Sequence, residues 1–121
     1  MLKPRVIPCL LLRDQGLVKG VRYQDHRYIG DPINAVHIFN AKEVDEIIFL
    51  DIAATAQGRI PDPEMIQRIA DQCLVPFAVG GGIRTVDDAA KILSSGAEKV
   101  CLNSAAFDRP GLVTEIAARF G

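Results

Sequence analysis

A run of three glycines is the first feature of this sequence that could bind a ligand. Gly80, Gly81 and Gly82 follow an apolar segment directly and precede Ile83 and Arg84. Consecutive glycines expose backbone N–H groups and permit positive φ, so this loop can close around a phosphate, with Gly81 and Gly82 as contacts. The alternative is a tight turn between a strand and a helix, although a turn alone needs one glycine rather than three.

A pair of polar residues follows the next apolar segment. Asn103 and Ser104 have the small neighbours Ala105 and Ala106. Their side chains could complete a phosphate site that the glycines of the adjacent loop begin. The alternative is a plain polar cap on a short loop. Together, the glycine loop and this pair predict a phosphate site formed by Gly81, Gly82, Asn103 and Ser104.

Three charged residues are candidates for catalysis. Asp51 ends an apolar run, where its carboxylate could act as a base or could orient neighbouring loops by hydrogen bonding. Lys19 lies in a segment with Asp14, and a lysine there could neutralise a substrate phosphate or a developing charge. The alternative for Lys19 is a solvated surface position.

The elements that must position these residues are visible as four continuous apolar runs, at 6–12, 46–52, 75–80 and 99–103. Continuous runs are typical of strands in a parallel sheet. A helical segment follows each run, and the four helices begin near Asp31-Pro32, Asp62-Pro63, Thr85 and Asp108-Arg109-Pro110. The predicted order is therefore βαβαβαβα in a single domain over residues 1–121.

Two architectures have that order, namely an open doubly wound sheet and half of a closed barrel. A doubly wound nucleotide-binding fold usually has a GxGxxG loop after its first strand, and residues 13–20 lack it. The glycine-rich loop follows the third strand instead. We therefore predict an α/β fold that is half of a (β/α)8 TIM barrel, with four βα units and a parallel sheet.

A half-barrel would place three further charges at its base. Arg5, Glu46 and Lys99 each stand at the amino-terminal end of a predicted strand. Charges near a narrow barrel axis are costly unless they pair, so we expect a ring of ion pairs. Three unrelated surface charges are the alternative.

Composition excludes several classes of function. The formal charge is −1 without a basic segment, so no nucleic-acid partner is expected. No apolar run approaches the ~20 residues of a membrane span. The cysteines Cys9, Cys73 and Cys101 lie far apart without metal-ligand spacing. They predict reduced thiols in a cytoplasmic protein, and neither a metal nor a cofactor is expected.

Over all 121 residues the sequence resembles the cyclase subunit of imidazole glycerol phosphate synthase, an enzyme of histidine biosynthesis. The resemblance rests on Ile7 to Leu10, Val18 to Gly20, Gly30 to Pro32, Phe49 to Ile52, Val79 to Arg84, and Lys99-Val100 with Asn103. The isomerase of the same pathway shares the triple glycine but fits the Gly30 and Phe49 segments less well.

The resemblance implies a reaction and roles for the candidate residues. Ammonia from a glutaminase partner passes through the barrel and reacts with a phosphoribulosyl-formimino aminoimidazole carboxamide ribonucleotide, a bisphosphorylated ribotide, to give imidazole glycerol phosphate. Gly82, Asn103 and Ser104 would hold one substrate phosphate. Lys19 would lie beside the reacting centre with Asp51 supporting it. The resemblance places Arg5, Glu46 and Lys99 in the charged ring, or gate, where ammonia enters.

Two features depart from that family. Leu11 stands where the family has an acid–base aspartate, and leucine cannot transfer a proton. Asp14 is nearby but lies in a loop. With leucine at position 11, the sequence resembles a divergent branch of the family that is linked to surface-polysaccharide synthesis. The resemblance to that branch implies that ammonia is passed to an activated sugar, where it forms an amidine group.

The chain also matches only half of a barrel. A non-catalytic phosphate-binding half-barrel is therefore a further alternative. In a half-barrel the first and fourth strands would have unpaired edges, so we expect either a fragment of a full barrel or, as we predict, self-association.

Overall fold

The computed structural model describes residues 3–14, 16–19 and 27–121, without the side chains of Lys19, Arg27, Tyr28, Ile29, Ser104 and Phe107. Within these residues the chain forms six strands and five helices. In chain order they are β1 (Cys9–Arg13), β2 (Gly16–Lys19), β3 (Arg27–Gly30), α1 (Pro32–Ala41), β4 (Ile47–Asp51), α2 (Pro63–Gln72), β5 (Phe77–Gly80), α3 (Val86–Ser94), β6 (Lys99–Cys101), α4 (Ser104–Asp108) and α5 (Gly111–Phe120). None of these helices is both long enough and apolar enough to cross a membrane.

The four predicted strands form a parallel sheet in chain order. The sheet order is β3-β2-β1-β4-β5-β6, and β1, β4, β5 and β6 pair in parallel. Helices lie between successive parallel strands, as crossover connections require. The predicted α/β half-barrel of four βα units is thereby confirmed.

A β-hairpin was not predicted. Residues 13–20 were expected to form a loop, but Gly16–Lys19 is β2, which pairs antiparallel with β1 and with β3. Leu12 lies opposite Leu17, and both side chains are buried. The expectation that the first strand has an unpaired edge was therefore wrong for Leu11 to Arg13. Burial of Leu17 and Val18 stabilises a strand too short to be recognised from its pattern.

The two faces of the sheet differ in burial, and this difference distinguishes the two architectures. Ile47 and Phe49 have no exposed surface, whereas Ile48 and Leu50, on the other face, are half-buried. Phe49 and Phe77 meet edge to face at 6.1 Å. One core cluster contains residues of α1, α2, α3 and α5, among them Val36, Ile66, Ile69, Ile92, Leu112 and Ile116. Helices thus cover one face, as in a barrel wall, whereas a doubly wound sheet has helices on both.

The helix starts agree with the sequence in three of four cases. The side chains of Asp31 and Asp62 accept hydrogen bonds from the backbone two residues later, and a proline begins each helix. Thr85 caps α3. The fourth start is shifted, because the short helix α4 ends at Asp108 and the long helix α5 begins at Gly111, with Pro110 as its N-cap.

Candidate functional site

A cavity of about 800 Å³ extends along the half-buried face of the parallel strands, from Cys9 and Ile48 to the loops at the carboxyl ends. Gly81 and Gly82 line it from the β5–α3 loop, and Asn103 lines it from the segment after β6. Leu50 and Cys101 contribute from the half-buried face of the sheet. Three of the four residues predicted to bind phosphate therefore meet at one space. Ser104 begins α4, and its side chain is outside the described part.

Each of the three glycines is required by close packing. A Cβ on Gly80 would lie 2.7 Å from the Cβ of Cys101. A Cβ on Gly81 would overlap the carbonyl oxygen of Asp51, and one on Gly82 would overlap that of Arg59. Gly81 and Gly82 also have φ of 118° and 68°. Gly81 and Gly82 thus let the β4–α2 and β5–α3 loops touch. This contact between the two loops was not predicted from the sequence.

The amides of this loop divide into two groups. The Asp88 carboxylate accepts hydrogen bonds from the backbone N–H of Arg84 at 3.0 Å and of Thr85 at 3.3 Å. Among the described residues, no acceptor pairs with the N–H of Gly81 or Gly82. The capping box of α3 thus occupies the later amides and leaves the two glycine amides for a ligand.

Asn103 is also available for binding. It occupies the N-cap position of α4, but its side chain makes no capping hydrogen bond and is exposed. An amide side chain offers both donors and an acceptor. Asn103 can therefore add to the donors of the glycine loop, which follows the neighbouring strand β5.

Asp51 is held by the loop that follows it. It ends β4 with only 5% of its side chain exposed, and its Oδ2 accepts a hydrogen bond from Arg59 Nη1 at 2.7 Å. Its Oδ1 accepts the N–H of Ala53 at 3.0 Å. These contacts favour the orienting role over that of a base. Sequence reasoning missed Arg59, since no local pattern links residues eight positions apart across an irregular loop.

The remaining catalytic candidates lie elsewhere. Asp14 occupies an exposed turn with φ of 51° and lines a second cavity of about 350 Å³, which Asp51 and Arg59 also line. It is not among the residues around the main cavity. Lys19 ends β2, and its side chain is outside the described part. The catalytic roles of Asp14 and Lys19 stay predictions.

The three charges at the other end of the sheet do come together. Glu46, with 6% of its side chain exposed, accepts a hydrogen bond from Lys99 Nζ at 2.8 Å. Arg5 Nη2 lies 3.5 Å from its second carboxylate oxygen. These residues form an ion-paired cluster, so they are not three unrelated surface charges. That the cluster is part of a ring around an ammonia entrance stays a prediction.

The three cysteines are free thiols with low expected reactivity. Burial raises the pKa of Cys9, Cys73 and Cys101 above the ordinary value of 9.0. At pH 7 the reactive thiolate fraction is therefore smaller than in an ordinary thiol, and it grows as pH rises towards the pKa. We expect alkylation by iodoacetamide, followed by mass spectrometry, to accelerate about tenfold per pH unit between pH 7 and 9. A rate plateau below pH 8 at any cysteine would contradict this.

Comparisons with known proteins show which sequences this one is similar to. The pattern of the family described as "Histidine biosynthesis protein" matches residues 5–121. Over the whole chain, the sequence is 51% identical to "Putative imidazole glycerol phosphate synthase subunit hisF3" of Vibrio vulnificus and 51% identical to the corresponding hisF2 protein of Pseudomonas aeruginosa. It is 46% identical to "Imidazole glycerol phosphate synthase subunit HisF" of Salmonella arizonae. The chain spans 46%, 48% and 47% of these relatives, respectively, or about half of their length.

Proposed function

Because this chain belongs to the histidine biosynthesis protein family, we propose that it is the phosphate-binding half of an imidazole glycerol phosphate synthase cyclase barrel. The barrel would use ammonia to convert the phosphoribulosyl-formimino aminoimidazole carboxamide ribonucleotide into imidazole glycerol phosphate. The observation that carries the proposal is the shared cavity, which Gly81, Gly82 and Asn103 all line.

In this proposal each part of the site has a task. The amides of Gly81 and Gly82, with Asn103 and Ser104, would hold one phosphate of the ribotide at the rim. This contact would place the rest of the substrate over the carboxyl ends of the strands, with Lys19 beside the reacting centre. Asp51 and Arg59 would keep the β4–α2 loop in place against the glycines. Such fixed placement lowers the entropic part of an activation barrier.

Nuclear magnetic resonance titration tests the proposal. Adding the ribotide or inorganic phosphate to the 121-residue chain should shift the backbone amides of Gly82, Asn103 and Ser104 in a saturable way. Shifts spread over the surface, or none at these three amides, would contradict it. A turnover assay with ammonium salts then distinguishes the enzyme from a non-catalytic half-barrel, which would bind phosphate without forming product.

A glutaminase subunit is the partner that this function requires. Its docking face would be the end of the sheet that holds the Glu46 cluster. Leu74, in the α2–β5 loop at that end, is 83% exposed, and Val6 beside Arg5 is 59% exposed. Apolar side chains exposed around a charged cluster are typical of protein interfaces.

We expect Leu74→Asp to weaken glutaminase binding by about tenfold or more, because it places a charge in an apolar contact. Val113→Asp is the matched control, since Val113 is an exposed apolar residue on α5 and lies outside the proposed face. Isothermal titration calorimetry with the glutaminase subunit measures both variants. Equal weakening by the two changes would exclude this docking face.

A second function is favoured by Leu11. This residue lies on the same face of β1 as Cys9, which lines the cavity, and it is opposite Leu50 of β4. A barrel without an acid at this position could pass ammonia to an activated sugar and form an amidine there. In a complete barrel that contains this half, Leu11→Asp should create imidazole glycerol phosphate activity if the parent barrel lacks it. High activity in the unchanged parent would exclude this alternative.

Self-association is a further proposal. The face of the sheet opposite the helices is half-buried at Ile48 and Leu50, and β6 has no strand on its outer side among the described residues. Two copies that associate through this sheet face and through their β6 edges would cover the face and pair the edges. Sedimentation velocity should show a dimer, and a stable, well-folded monomer would contradict the proposal.

A further inference from the structure

The glycine amides of the proposed phosphate site carry no net positive charge, so a charged side chain beside them would strengthen phosphate binding. A phosphate monoester carries roughly −1.5 to −2 charges at pH 7, whereas a backbone N–H is only a dipole. Among the described residues, four side chains that are charged at neutral pH line the cavity, namely Asp51, Arg84, Asp108 and Arg109. Only the two arginines among them, Arg84 and Arg109, have the positive charge that can neutralise a phosphate.

Two of these four charges already have partners. The carboxylate of Asp51 binds Arg59, with 2.7 Å between Oδ2 and Nη1. The guanidinium of Arg109 contacts both carboxylate oxygens of Glu115, at 3.2 and 3.3 Å. Asp51 is an anion and cannot neutralise a phosphate, and Arg109 would first have to give up its solvent-exposed contacts with Glu115.

Arg84 has a different environment. Among the described residues, its guanidinium makes one hydrogen-bond contact, at the 3.5 Å limit from Nη2 to the carbonyl oxygen of Thr55. Within the described part of the chain, no carboxylate lies within 4.0 Å of it. The contact with Thr55, which also lines the cavity, holds the side chain across the β4–α2 loop.

The backbone of Arg84 is fixed close to the glycine amides. Its N–H donates to the Asp88 carboxylate at 3.0 Å within the capping box of α3. The residue stands two positions after Gly82, so its side chain leaves the same loop that presents the free amides. A guanidinium in this position can make two parallel hydrogen bonds to a phosphate.

We infer that Arg84 is the charge-neutralising phosphate ligand of this cavity, and that it makes the cavity select dianionic phosphate monoesters. The inference rests on the proposed phosphate site and adds to it the residue that recognises charge. The signal in the sequence is only the adjacency of Arg84 to the glycines, which does not show where the guanidinium lies.

Amide titrations with glycerol 3-phosphate test the inference on the 121-residue chain. Arg84→Gln should weaken binding by about tenfold or more, and Arg84→Lys should fall between this variant and the parent, because lysine keeps the charge but loses the paired hydrogen bonds. Arg68→Gln is the matched control, since Arg68 is exposed on α2 away from the cavity, and it should bind like the parent. Asp108→Asn removes an opposing charge from the lining and should strengthen binding.

A second ligand separates charge recognition from general loss of the site. Dimethyl phosphate carries one negative charge, so Arg84→Gln should reduce its binding much less than it reduces binding of the monoester. An Asn103→Ala variant that loses binding while Arg84→Gln binds glycerol 3-phosphate like the parent would overturn the role of Arg84 and leave the phosphate site standing. A parent chain that binds neither ligand would overturn both.

Discussion

Gly82→Ala should lower the free energy of unfolding by about 2–5 kcal/mol, the sum of a left-handed backbone penalty and of overpacking. The residue has φ of 68°, and its added Cβ would overlap the carbonyl oxygen of Arg59 and lie 3.1 Å from the Cβ of Ala54. A backbone oxygen cannot move without shifting the whole β4–α2 loop. Because the glycine amides would move with it, phosphate binding should be lost in the same variant. Urea denaturation measures the first effect and amide titration the second.

Gly58→Ala is the matched control for this prediction. Gly58 has φ of 64°, nearly the same backbone conformation, but a Cβ there would meet no atom within 4 Å. Gly58→Ala should therefore lower the free energy of unfolding by the backbone penalty alone, about 1–2 kcal/mol. If the two variants lost equal stability, the close approach of the two loops would not be the reason for a glycine at position 82.

Arg59→Met should be the second large effect, with a loss of about 2–4 kcal/mol in the free energy of unfolding. The change leaves the carboxylate of Asp51, with only 5% of its side chain exposed, without a counter-charge and with the Ala53 N–H as its remaining described donor. The estimate is at the low end for a buried pair because 36% of the Arg59 side chain is exposed to solvent. Chemical denaturation of the parent and of Arg59→Met at neutral pH measures this difference in the free energy of unfolding.

A double-mutant cycle makes the test specific. Asp51→Asn added to Arg59→Met should restore much of the lost stability, because the neutral amide oxygen can still accept the N–H of Ala53. Arg109→Met provides the control, since Arg109 and Glu115 are both about half-exposed and their pair should contribute under ~1 kcal/mol. Equal losses for Arg59→Met and Arg109→Met would show that burial of Asp51 does not matter.

Much of the candidate site was predictable because its parts end predicted strands. In a parallel sheet, the carboxyl ends of all strands lie at one edge, so the glycine loop after β5 and Asn103 after β6 had to be neighbours. The same reasoning placed Arg5, Glu46 and Lys99 together at the opposite end. Arg59 and the position of the Arg84 guanidinium were not predictable, because the conformations of irregular loops depend on contacts distant in sequence.

The sequence by itself determined the order of the four parallel strands and of the helices α1, α2, α3 and α5, the caps at Asp31, Asp62 and Thr85, and the half-barrel class. These features follow from apolar periodicity and from hydrogen bonds between residues a few positions apart. Only the tertiary structure decided the β2–β3 hairpin, the partner of Asp51 and the reason for glycine at position 82. Each depends on contacts between segments that are far apart in the chain or too short to carry a pattern, and burial against the rest of the fold stabilises them.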